Sequence, residues 1–196
     1  AKLVFNLPCE VDDVAEYYST ERQMAKAVTF GIMYGAGAFR IGQELGIPRN
    51  EASILIESYF QQYPGIQNYI DSTCLMAREK KYVETILGRR RPIWDADSDN
   101  GLRRQAAERM AINMPIQGSS AEMIKIAMIR IAEEISKLNL RSKLVLQIHD
   151  ELIFDCPKGE VDIIKDMIQE KMQNAYQLNV PLKVDVGEGY NWLEAH

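Results

Sequence analysis

The sequence predicts an α+β protein: a helical first part, then a smaller part in which short strands pack with helices. Three observations carry this. Long stretches of helical periodicity fill the first eighty or so residues, two short β-rich runs occur late, and helices come first with strands packed among helices after them. The 196 residues are 46% hydrophobic and 26% charged, enough to bury one sizeable core or two small ones.

Residues 21–34 run without proline and are followed by Gly35 and Gly37, which suit a helix end. Residues 51–63 form an amphipathic helix, with Ile54, Leu55, Ser58 and Tyr59 at helical spacing and Pro64-Gly65 as its stop. A further helix is expected over 66–80, and a short hairpin over 82–88 with Leu87-Gly88 in its turn. Turn formers crowd 95–101, which places a boundary there and divides the chain into 1–98 and 99–196. Beyond it, a helix over 102–113 is expected to end at Pro115, and a long one over 118–138 aligns Ile124, Ala127, Met128, Ile131 and Ile135. Residues 143–148 and 152–156 read as a hairpin with His149, Asp150 and Glu151 at its tip. A helix over 161–176 and a last strand over 181–186 complete the pattern.

Composition excludes several classes. No run of eighteen apolar residues is present, so no membrane-spanning helix and no membrane partner are expected. The N-terminus lacks a signal peptide's apolar stretch, and a start at Ala1 suggests a processed or excised piece. Cys9, Cys74 and Cys156 form no C-x-x-C pair, which argues against a disulfide framework and fits a reducing cytoplasm. With His149 and His196 as the only histidines, a multi-histidine zinc site is ruled out. No G-x-x-x-x-G-K-[ST] motif is present. The net charge of −5 is unevenly spread: −4 over residues 1–21, +5 over 22–149 and −6 over 150–196. A basic middle between acidic ends leaves nucleic acid open as a partner.

Four constellations could carry chemistry. Arg22, Lys26, Phe30 and Tyr34 recur every four residues, so they share one side of a helix. Two cations followed by two rings suit a nucleoside triphosphate, phosphates at one end and a flat base at the other. The same spacing fits an amphipathic helix whose rings are core. Gly31 and Gly35, costly inside a helix, clear room for something to approach the backbone. In Q-I-H-D-E at 147–151, paired carboxylates suit Mg²⁺, provided the turn bends Asp150 and Glu151 together; solvated turn acids are the plainer reading. Arg89, Arg90, Arg91, Arg103, Arg104 and Arg109 supply a phosphate-binding surface or a soluble face. Arg109, Asn113 and Gln117 form a ladder of donors for minor-groove acceptors, or cap backbone groups freed at Pro115. Residues 41–52 have a helix-turn-helix pattern, with Gly46 in the turn and Arg49-Asn50 opening the second helix.

Taken together, these motifs resemble bacterial family A DNA polymerases. R-Q-M-A-K-A-V-T-F-G-I-M-Y-G at 22–35 is similar to that family's fingers-helix motif, and Q-I-H-D-E to its palm motif C. L-G-R-R-R at 87–91, the stretch 100–113, P-I-Q-G-S-S-A at 115–121 and the C-terminal V-G-x-G-x-N-W…A-H match in order. The resemblance implies a fingers subdomain over 1–98 and a partial palm over 99–196. It implies template-directed nucleotidyl transfer from dNTPs to a primer on primer–template DNA. Arg22 and Lys26 would hold the triphosphate, with Lys26 protonating the departing pyrophosphate. Phe30 would pack on the sugar and base, where a tyrosine would relax rejection of dideoxynucleotides, and Tyr34 would close the base-pair pocket. Arg103, Arg104, Arg109, Asn113 and Gln117 would touch DNA, with His149 near the primer terminus. Asp150 and Glu151 would hold Mg²⁺.

The family's other bridging aspartate lies on a strand upstream of the fingers, so the chain is expected to be a C-terminal piece with little or no polymerase activity alone. The surface left open by that strand would favour self-association. Two rivals remain at this stage: a non-enzymatic DNA-binding module built on 41–52, and a metal-dependent nuclease built on Asp150 and Glu151.

Overall fold

The computed structural model describes residues 1–5, 7–11 and 13–195. His196, the last residue of the C-terminal motif, lies outside them. The chain is α+β, with nine α-helices and two antiparallel two-stranded sheets among the described residues. It divides into two compact units, residues 1–116 and 117–196.

The first unit begins with two short helices, α1 (Lys2–Phe5) and α2 (Val14–Tyr17), before α3 (Ser19–Met33). Helices α4 (Ala38–Leu45) and α5 (Arg49–Gln62) turn sharply at Gly46, whose φ of 67° lies in the left-handed region that glycine adopts without strain. Pro64 does not merely stop α5: it is the first residue of α6 (Pro64–Lys80), where its missing N–H costs nothing. Val28, Ile32, Ile41, Ala52 and Tyr59 form one core, holding α3 against α4 and α5. Each large side chain buried there is worth roughly 1.5–3 kcal/mol.

Strands β1 (Tyr82–Glu84) and β2 (Arg90–Pro92) form the expected hairpin, with Gly88 at φ 80° in its turn. Val83 and Ile93 bury themselves with Ala77 of α6, and with Ala107 and Ala111 of the long helix α7 (Gly101–Lys137). The Tyr69 hydroxyl donates to the Ile112 carbonyl at 2.7 Å, a second tie between α6 and α7. That shared core explains why the compact units part after Ile116 and not at 98/99. The polar stretch read as a boundary is a 3-10 turn (Trp94–Asp97) followed by a capped helix start. Asn100 Oδ1 accepts from the N–H of Leu102 at 3.0 Å and of Arg103 at 3.3 Å.

Pro115 does not end a helix either. It lies inside the continuous α7, although proline removes one backbone bond and crowds the preceding turn. Ala111, Ile112, Met114 and Ser119 around it are all buried, and packing on both sides of the proline overrides the local preference.

In the second unit the rest of α7 packs with β3 (Lys143–Ile148), β4 (Glu151–Asp155) and α8 (Val161–Gln173). Ala127 and Ile131 of α7 meet Ile164, Met167 and Ile168 of α8, with Leu152 and Phe154 of β4 against them. The strand expected over 181–186 does not form. That segment runs along α8 instead: Gln169 Nε2 donates to the Val184 carbonyl at 3.2 Å, and Lys165 pairs with Glu188. A short α9 (Trp192–Ala195) follows. Among the described residues no helix is long and apolar enough to cross a membrane.

Candidate active site

Helix α3 sorts its side chains by period. Ala25, Val28 and Ile32 face the core, while Arg22, Lys26, Phe30 and Tyr34 stand on the open side. Phe30 is 58% exposed and Tyr34 51%, so the rings are not core residues. Tyr34 follows the last helical residue, yet its N–H still bonds the Phe30 carbonyl at 2.8 Å and keeps it on the same row. Among the described residues neither Arg22 nor Lys26 has a carboxylate partner, which leaves both cations available to an external anion. The result is one solvent-facing rail carrying charge at its start and rings at its end.

Gly31 in this helix and Gly35 just beyond its end serve protein packing, contrary to the expectation that they clear space for a ligand. A Cβ on Gly31 would stand 3.1 Å from Ile41 Cγ1, so its absence lets α4 approach. Gly35, at φ 68°, abuts Arg109 of α7. Beside that contact a groove of about 650 Å³ is lined by Asp71, Cys74, Arg78, Gln105, Glu108 and Arg109, among others. Arg78 Nη2 donates to Glu108 Oε1 at 2.6 Å within it. Burial first, then the nearby Glu108 carboxylate, pushes the Cys74 thiol above its ordinary pKa and keeps it protonated. The three cysteines are free.

The arginines divide by what they already bind. Arg103 is exposed, whereas Arg104 donates to the Ser98 carbonyl at 2.8 Å and braces the start of α7. Arg90 pairs with Glu84 at 2.7 Å and lies 4.6 Å from the Tyr82 ring centre. Along α7, Arg109 is exposed and Asn113 half-buried, with one Asn113 amide hydrogen given to the Arg109 carbonyl at 2.9 Å. That bond points back along the helix and away from Pro115; it leaves the Asn113 oxygen uncommitted to it. Gln117 is the first residue of the second unit and is exposed.

In the second unit the β3–β4 hairpin pairs Ile148 with Glu151, so the tip is His149-Asp150 alone and Glu151 is the first residue of β4. His149 and Asp150 are exposed and Glu151 is half-buried. His149 has φ 52°, unusual outside glycine, and primed hairpin turns require such a positive φ. An extra residue, Val145, bulges from β3 between Leu144 and Leu146. The bulge shifts the face of everything beyond it: Gln147 shares a face with Leu144, Leu152 and Phe154, while Ile148 and Glu151 take the other. Gln147 Nε2 donates to the His149 carbonyl at 3.1 Å.

Asp150 at the tip and Glu151 next to it at the start of β4 are hard oxygen donors of the kind Mg²⁺ takes. Among the described residues no group of three or more His, Cys, Asp or Glu could hold a metal ion, so these residues fit part of a metal site and not a whole one.

Sequence reasoning passed over Gln147 and also Glu160. The latter's carboxylate accepts from the N–H of Arg141 and of Ser142 at 3.0 and 2.9 Å, and from the Ser142 hydroxyl at 2.6 Å, anchoring the segment that enters β3. Gln147 opens the Q-I-H-D-E motif, which could have pointed to it; nothing local marks Glu160.

Comparison with known proteins agrees with this arrangement of motifs. The family described as DNA polymerase family A matches residues 1–194. DNA polymerase I of Caldicellulosiruptor bescii is 43% identical over 93% of this chain and 21% of its own length. The thermostable DNA polymerase I of Thermus aquaticus is 40% identical over all of this chain and 23% of its own. Among solved structures, the POL domain of Pol1 from M. smegmatis, in complex with DNA primer-template and dNTP, has 40% identity and a TM-score of 0.93. That likeness covers 99% of this chain and 33% of that one. The chain spans about a fifth of the length of the curated relatives it matches. It belongs to DNA polymerase family A.

Proposed function

We propose that these residues are the fingers, over about 1–98, and part of the palm, over about 99–196, of a DNA-directed DNA polymerase that transfers nucleotides from dNTPs to a primer on a template. The observation that carries this is the exposed α3 row of two cations followed by two rings, in which the cations Arg22 and Lys26 have no carboxylate partner among the described residues.

Phosphoryl transfer asks the protein to place phosphates and neutralise developing charge more than to react covalently. The Arg22 fork holds triphosphate oxygens, and Lys26, one turn on, meets the charge that builds on the leaving pyrophosphate and donates a proton to it. Phe30 and Tyr34 supply flat surfaces for the sugar and base. Arg109, Asn113 and Gln117 offer donors to minor-groove acceptors, with Arg103 and Arg104 on the phosphate backbone and His149 by the primer end. Mg²⁺, held by Asp150 and Glu151 with a further carboxylate that the described residues do not provide, would supply charge neutralisation for the transfer. The 196 residues by themselves are therefore expected not to extend a primer. Self-association through β3, where Val145 is 57% and Leu146 49% exposed, belongs to the same proposal, as does a cytoplasmic location.

The test is template-directed incorporation by the full gene product. The base added should follow the template, and Asp150→Asn should abolish addition. A product that adds no nucleotide, or adds bases regardless of template, contradicts the reading. The helix-turn-helix-like pattern is two closely packed helices: a Cβ on Gly42 of α4 would stand 3.6 Å from the Ala52 Cβ of α5. No feature of α4 and α5 favours the non-enzymatic alternative.

A further inference from the structure

We infer that Gln147 is a positioning residue for Asp150, acting through the peptide group at the hairpin tip. This rests on the polymerase reading for its functional consequence, but its structural half stands alone.

The His149 carbonyl and the Asp150 N–H belong to one planar peptide group, so fixing the carbonyl direction fixes the plane from which Asp150 projects. In this two-residue turn His149 sits at φ 52°, a conformation a non-glycine residue adopts only when its surroundings impose it. The Gln147 side chain reaches forward from the end of β3 and donates to that carbonyl at 3.1 Å. The Val145 bulge puts Gln147 on the Leu152 side of the hairpin, opposite to Ile148 and Glu151. One side chain thus holds the tip peptide without competing for the face that Glu151 occupies. His149 and Asp150 are both exposed, and among the described residues no other side-chain bond reaches either of them. A carboxylate meant to meet a cation gains from being held in advance, because ordering it on binding would cost affinity.

The test uses Gln147→Met, which keeps length and removes the donor, and Gln147→Glu, which keeps shape and offers only an acceptor. In the 196-residue chain, the NMR order parameter of the Asp150 amide should fall from about 0.85 toward the flexible range below about 0.6 in both variants. The strands should be unchanged. In the full gene product, the Mg²⁺ concentration for half-maximal incorporation should rise about three- to tenfold with Gln147→Met, the worth of one neutral hydrogen bond. The KM for dNTP should stay where it was. An unchanged order parameter in Gln147→Met overturns the proposal, as does a loosened tip with an unmoved Mg²⁺ midpoint. A wild-type product that incorporates nothing would sink the polymerase reading instead, and the order parameters would still decide the structural half.

Discussion

Gly35, just beyond the end of α3, and Arg109, on α7, are in such close contact that a methyl group on Gly35 would lie 2.6 Å from Arg109 Cγ. The atom in the way is close to the arginine's backbone, not at its mobile end, so it cannot swing aside cheaply. Within the first unit, the residue that follows Tyr34 and the first rung of the α7 ladder therefore share one packed contact.

This contact separates two costs by comparison with Gly46, which has nearly the same φ, 67° against 68°, but open space around its missing Cβ. Gly46→Ala should lose about 1–2 kcal/mol, the cost of a left-handed alanine. Gly35→Ala should lose that and about 1–3 kcal/mol more from overpacking. Urea unfolding of both variants measures the difference; equal losses would mean that Arg109 yields freely.

The roles proposed for Arg22 and Lys26 separate in kinetics. In the full gene product, Lys26→Ala should lower the maximal incorporation rate by roughly 10²–10³, as when one transition-state donor is removed. Arg22→Ala should act mainly on the KM for dNTP, by about ten- to a hundredfold, the worth of a hydrogen bond to a charged group. Single-turnover kinetics against dNTP concentration resolves the two, and a Lys26→Ala enzyme with unchanged maximal rate would remove that residue from the chemistry.

Glu160 links stability to pH. The Ser142 hydroxyl, and then the Arg141 N–H, hold its carboxyl below the ordinary value. A depressed folded pKa gives stabilisation that is complete above the unfolded value, about 4.3, and lost as pH falls through the folded one. Thermal melts from pH 7 to pH 3 should show the wild type losing its advantage over Glu160→Gln below about pH 4.3. Parallel curves across the whole range would show that the anchoring bonds do not depend on ionisation.

Pro115→Ala should stabilise the chain by about 1–3 kcal/mol, because α7 already runs through this position and alanine restores the missing N–H. A loss on urea unfolding would show that the ring's packing matters more than the backbone bond.

How far the sequence discloses the site depends on how local each determinant is. The α3 row is legible because helical period alone decides which of Arg22, Lys26, Phe30 and Tyr34 share a side, and the hairpin because β-rich runs flank a polar tip. Pro115 misleads because its local rule is overridden by buried neighbours on both sides. The segment 181–186 has strand-like alternation, but its Val184 carbonyl is claimed by Gln169 from α8. Glu160 reaches residues eighteen and nineteen positions earlier, a contact that no pattern along the chain encodes. The role of Gln147 depends on a one-residue bulge, which appears only once strands are paired.

The most direct test of the α3 assignment is a titration of dATP with Mg²⁺ into the ¹⁵N-labelled 196-residue chain, followed by amide chemical shifts. Saturable shifts concentrated at Arg22, Lys26, Phe30 and Tyr34, abolished by Arg22→Ala, are the expected result. Shifts clustered at Arg49 and Asn50, or none along α3 at millimolar nucleotide, would contradict it.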